Sequence, residues 1–214
     1  MANFNNAAAA AVAPSYASTS QPRRSMWGDV QTATQTAPGI WSVTTAGHGG
    51  IVLSPARNAM VPACLRRANA QYEEDGEYAA VVFAFPDHFS AREIEVAHQS
   101  LRDWRATEWE ALTGEKLTPE TSKQRAEEAF WARHANSWVA TSAFGSWAHW
   151  VPDGMVGVFA RKGNPQSAEH LAAEFRCFLI PGAEYRAPRF VVDPDRHEEV
   201  PVPAEPTRAK DRAA

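Results

Sequence analysis

The sequence predicts an α+β fold: a mainly antiparallel sheet with helices packed on one face. Three observations predict it. Short β-branched runs separated by tight turns occupy the first third of the chain and return in the last third. Two helical patterns follow one another directly in the middle. No regular strand–helix–strand alternation appears, so a parallel βαβ repeat is disfavoured. At 44% hydrophobic and 10% aromatic, the 214 residues suffice for a substantial core.

The elements follow in order. GIWSVTTA (39–46) and IVLS (51–54) read as two strands of a hairpin. Its turn is expected to need positive φ, which Gly47, Gly49 and Gly50 can supply. Ser54-Pro55 reads as an N-cap and first-turn proline opening a short helix, which Pro62 breaks. The acidic run Glu73, Glu74, Asp75 with Gly76 is expected to form a turn, and Tyr78–Phe85 a buried strand, from its unbroken apolar character. Ser90-x-x-Glu93 is a capping box for a helix with Ile94, Ala97, Leu101 and Trp104 on one face; Trp109 and Leu112 continue the stripe to Gly114. Thr118-Pro119 is expected to start a further helix reaching about Ala135. Strands are expected over 137–144, 155–162, 173–180 and 189–193, with Phe175, Cys177 and Leu179 alternating against Arg176 as in a half-buried strand.

Residues 1–25 and 195–214 lack a repeating apolar face. They are expected to be a disordered arm and tail around one globular domain over 26–194. Arg23 and Arg24 follow the alanine run rather than precede it, unlike a secretory signal. No apolar run is long enough for a membrane span. Cys64 and Cys177 lack paired CxxC spacing and are expected as reduced core thiols of a cytoplasmic protein. The formal charge of −4 argues against a dominant electrostatic grip on nucleic acid.

No metal-ligand spacing stands out among the seven histidines, and no phosphate loop, dinucleotide fingerprint or nucleophile elbow occurs. The candidate catalytic set is His48 with Glu73, Glu74 and Asp75. A turn beside an imidazole can place a general base, and a carboxylate on one ring nitrogen fixes its tautomer. A solvated turn histidine beside a solvated acidic loop explains the same residues without chemistry. Arg57 and Asn58, one turn into the helix from Ser54, are candidate anion binders lining the same pocket, or plain surface residues. Trp147, His149 and Trp150 stand in a strand-to-strand loop, as a recognition surface or folded back over the core.

Several phrases together resemble a known family. They are WG-x-x-Q at 27–31, GIWSVTTAGHGGIVLS at 39–54, RNAMVP at 57–62, YEED at 72–75, FP-x-x-F at 85–89, LRDW at 101–104, WEALTG at 109–114 and FLIPGAEY at 178–185. The resemblance is to an uncharacterised domain family of proteobacterial plasmid- and phage-borne proteins, and it spans about 26 to 194. It implies a mobile-element setting and no established activity. It also groups His48, Gly49, Gly50, Arg57, Asn58, Tyr72, Glu73, Glu74 and Asp75 as the family's polar signature. Gly76 stands where the family tends to carry cysteine, which weakens thiol chemistry. The WAHW loop replaces a shorter polar one, which suggests a partner surface particular to this chain. Two functions follow as expectations: an accessory protein binding a protein or nucleic-acid partner, or a hydrolase or nuclease-like enzyme. In the enzyme, His48 is the acid/base, the 73–75 carboxylates orient it or ligate a metal, and Arg57 binds an anion. Cofactor and oligomeric state stay open.

Overall fold

A computed structural model describes residues 16–164 and 174–210. The chain divides into two compact units, Met1–Arg125 and Ala126–Ala214. The α+β class holds, with antiparallel pairing throughout the named strands. Residues 1–15 of the expected arm and 211–214 of the expected tail lie outside the described residues.

The first unit opens with a small ribbon, β1 (Arg24–Ser25) and β2 (Gly28–Asp29). Its four-stranded sheet runs β3 (Thr32–Ala37), β4 (Ile40–Thr44), β5 (Gly49–Leu53), β6 (Gln71–Glu73), in that spatial order. A register shift between Gln35 and Ala37 bulges the edge strand β3. The pairs Thr34↔Ser42, Ser42↔Ile51 and Ile51↔Tyr72 put these four residues in one row on one face. Ile40, paired with Leu53, lies on the same face, two residues along. Ile40, Ile51, Leu53 and Tyr72 pack there against the helices, so the sheet is covered on one face by α2 (Tyr78–Ala84), α3 (Ala91–Trp104) and α4 (Ala106–Thr113).

Local signals place most of these elements. Ser54 caps α1 (Pro55–Met60), its hydroxyl accepting from Arg57 N, with proline in the first turn. Ser90 and Glu93 form the reciprocal capping box of α3, and Gly114 ends α4 at φ 77°. Three expectations are corrected. Tyr78–Ala84 is a helix, not a strand. Ala79–Val82 are all buried, and a short apolar run wedged between sheet and α3 has no polar side to betray its period. The single helix expected to Gly114 breaks at Arg105, where the freed Ala106 N–H donates to Gln124 Oε1 at 2.8 Å. That break rotates the stripe: Trp109 is 4% exposed, whereas Trp104 is 57% exposed under the Lys123 ammonium. The last helix, α5 (Lys123–Arg133), begins later than Pro119. Thr118–Thr121 close a turn first, and the Ser122 hydroxyl accepts from Arg125 N while donating to Arg102 O.

The second unit is a five-stranded sheet ordered β10 (Val191–Val192), β7 (Trp138–Phe144), β8 (Met155–Lys162), β9 (Arg176–Pro181), β11 (Glu198–Val200). Val158, Ala160, Phe178, Ile180 and Val192 form its core. In β9, Cys177 to Ile180 are all buried, so the strand is covered on both faces rather than alternating; residue 173 of the expected strand lies outside the described residues. Cys177 is a core thiol, its acidity pushed down by burial to a pKa of about 11. Cys64 is exposed, contrary to expectation, because it sits in the loop after Pro62 rather than in an element. Residues 195–210 carry β11 and a segment that meets the 145–150 loop: Ala148 bridges Ala209 and Lys210 N donates to Trp147 O. Among the described residues no helix is long and apolar enough to cross a membrane.

Candidate functional site

The β4–β5 turn is a four-residue loop, Thr45 to His48. Thr45 closes it: both its N–H and its hydroxyl donate to His48 O, at 2.7 and 2.9 Å. None of Gly47, Gly49 and Gly50 has positive φ, which corrects the expected reason for them. A loop of this length turns without the left-handed residues that a two-residue hairpin requires. Two of the glycines serve close approach instead. A side chain at Gly49 would collide with the Glu74 carboxylate, and one at Gly50 with the Trp27 ring and the Tyr72 carbonyl. Gly47 has open space around it.

Gly49 and Glu74 are joined twice. Gly49 N–H donates to Glu74 Oε1 at 2.9 Å, and Glu74 N–H donates to Gly49 O at 3.2 Å. The β5–β6 pairing therefore delivers the acidic run to His48. His48 Nδ1 lies 3.9 Å from Glu73 Oε1, and one ligand atom from each of His48, Glu73 and Glu74 falls within 4.8 Å of the others. That is a spacing a divalent cation can bridge. Asp75 is outside this set; its N–H donates to Glu73 Oε2. The His48 side chain is 59% exposed, so the cluster sits in water.

Glu74 also belongs to a cleft of about 340 Å³ over the polar end of the inner sheet face. Thr32, Thr34, Ser42 and Thr44 line it with hydroxyls, Tyr78, Val82 and Phe89 supply its apolar wall, and Glu93 stands across from the sheet. Among the described residues no cation pairs with Glu74 or Glu93, and no lysine, arginine or histidine lines the cleft. Hydrogen bonds from the Ser90 hydroxyl and N–H hold Glu93 below the usual carboxylate range, so it is ionised at neutral pH. The hydroxyls were not among the residues singled out from sequence, and Glu93 figured there only as a cap. The period-2 spacing of Thr32, Thr34 and of Ser42, Thr44 was the available signal.

The remaining candidates are placed elsewhere. Tyr72 is fully buried and its hydroxyl donates to Asn58 Oδ1, while Asn58 Nδ2 donates to Arg67 O at 2.9 Å. Both side chains are thereby engaged in holding α1 to β6. Arg57 is separated from His48 and lines a second cleft with Tyr16 and His88. In the other unit Trp147 is exposed. Trp150 lies against Gly157, stacks on Phe159 with 17° between ring planes, and donates to Pro206 O at 3.0 Å. His149 is exposed, with its N–H donating to Arg208 O.

Comparison with curated proteins and with solved structures gives no match. A family model described as a domain of unknown function (DUF7007) matches residues 20–135, the stretch that holds the hairpin, the acidic run, the hydroxyl-lined cleft and, Tyr16 apart, the lining of the second cleft, and the chain belongs to that family.

Proposed function

We propose that this protein is an accessory protein of a mobile genetic element, of the kind carried by proteobacterial plasmids and phages. It works in the cytoplasm by binding a protein partner through the hydroxyl-lined cleft. The observation that carries the reading is the two carboxylates, Glu74 and Glu93, hydrogen-bonded but matched by no cation among the described residues that line the cleft. Such a cleft repels phosphate and receives a basic side chain, so a protein fits it better than a nucleic acid.

The test is capture from the host with wild type and a Glu74→Gln/Glu93→Gln variant, with and without nuclease. A protein held by wild type in both treatments, and lost in the variant, supports the reading. Capture that depends on nucleic acid, or that the variant retains, counts against it.

A hydrolase or nuclease-like enzyme is the second reading, favoured by the convergence of His48, Glu73 and Glu74. One imidazole and two carboxylates suit Zn²⁺ or Mn²⁺, and an ion there would activate water. Asp75 would orient Glu73 through the backbone contact between them. Calorimetry with Zn²⁺ and Mn²⁺ on wild type and His48→Ala decides it: stoichiometric binding lost in the variant is required, together with hydrolysis that depends on the ion.

A further inference from the structure

We propose that the cleft beside Arg57 binds a small oxyanion, a carboxylate or phosphate group, held by the buried guanidinium. Arg57 is 5% exposed. A charge taken out of water this far is ordinarily matched by an opposite charge. Among the described residues the groups in contact with the guanidinium are neutral. Arg57 Nε donates to Pro38 O at 3.0 Å, and Nη2 donates to His88 Nε2 at 3.2 Å, which requires that nitrogen to be unprotonated. The Tyr16 ring lies 3.6 Å from the guanidinium carbon and the Phe85 ring 4.8 Å from it. Among the described residues no carboxylate comes within ion-pair distance.

These contacts fix the plane of the guanidinium and leave its charge uncompensated. Gly39 is part of the same arrangement: at φ 78° it lets Ser54 and the Arg57 stem approach its backbone where a side chain would collide. The cleft measures about 340 Å³, within the range of small-ligand sites. Met60, Phe85 and Tyr16 give it apolar walls, and His88 stands at the guanidinium edge. Among the described residues Asp87 is the one acidic group lining it, exposed and outside ion-pair distance of Arg57. A planar fork of donors between aromatic faces suits bidentate recognition of an oxyanion. No residue lines both this cleft and the one at Glu74, so this inference stands apart from the partner-binding reading.

The experiment titrates the full chain with sodium acetate, sodium phosphate and sodium chloride at matched ionic strength, following the Arg57 Nε–Hε resonance by NMR. Arg57→Gln and His88→Glu are titrated in parallel by calorimetry. His88→Glu plants a carboxylate against the guanidinium and keeps the test open should Arg57→Gln fail to fold. The expected result is saturable acetate or phosphate binding, absent with chloride and weakened at least about ten-fold in His88→Glu; the tighter arm names the natural group. Behaviour identical to chloride for both oxyanions, or undiminished affinity in His88→Glu, overturns the proposal.

Discussion

Replacing Gly47, Gly49 and Gly50 one at a time by alanine separates two explanations for a glycine-rich hairpin. If the turn itself needed glycine, all three would suffer, Gly47 most. The geometry gives a different order. At Gly50 the new methyl meets the Trp27 ring and the Tyr72 carbonyl. The ring can swing away, but the carbonyl belongs to β6, which is paired to β5 at this residue. Overpacking of this kind costs about 2 kcal/mol, which lowers the Tm of a unit this size by roughly 8 °C. At Gly49 the methyl meets the far end of Glu74, a flexible group, so the carboxylate is displaced and the stability cost is smaller. Partner capture through the cleft should then fall more than stability does. Gly47 has open space and no positive φ, so alanine there should be neutral or stabilise by about 0.4–1 kcal/mol through the unfolded chain. Thermal melts of the three variants by circular dichroism give the order directly. A Gly47→Ala protein that melts as low as Gly50→Ala would refute the close-approach account.

Three further outcomes are expected. Trp109→Ala should cost about 3–5 kcal/mol as a buried aromatic truncation, and Trp104→Ala under about 1 kcal/mol; equal losses in chemical denaturation would mean that the break at Arg105 does not govern the packing. Burial raises the Asp103 carboxyl, but hydrogen bonds from Lys123 and Gln99 to its ionised form outweigh it and leave the group below the ordinary aspartate value. A depressed pKa contributes stability above the unfolded value of about 3.9 that is lost as pH falls through the folded value. The melting temperature should therefore drop on acidification below roughly pH 4, and less so in Asp103→Asn. Finally, a thiol reagent at neutral pH should label Cys64 in the native protein and Cys177 only after unfolding, given the exposure of the first and the burial and raised pKa of the second; native labelling of Cys177 would show that β9 opens readily.

What could be read from the chain was local chemistry. Ser54-Pro55, Ser90 with Glu93, and Gly114 each act through neighbours a few residues away, and each stands where its pattern puts it. The hairpin strands were equally legible from β-branched residues. Tyr78–Ala84 was not, because a run buried on all sides carries no period, and its helical state comes from what packs around it. The site was legible in part. His48 and the acidic run were visible as types, but only the β5–β6 register decides that Glu73 and Glu74 meet His48 while Asp75 does not. Arg57 was singled out for its place near Ser54, whereas its surroundings, Tyr16 and His88, lie 41 and 31 residues away in sequence. Contacts of that span leave no spacing pattern to find.

The bulge in β3 bears on how the protein behaves at high concentration. This strand is an edge of its sheet, and its sequence TATQTA carries no charge to discourage a second chain from adding alongside. Open edges of β-forming residues are where separate molecules begin to aggregate. The register shift between Gln35 and Ala37 interrupts the even spacing of backbone donors and acceptors that such growth would copy. A kink thus does the guarding that lysine does on many edges, and straightening it by deleting Thr36 would expose a continuous template for self-association.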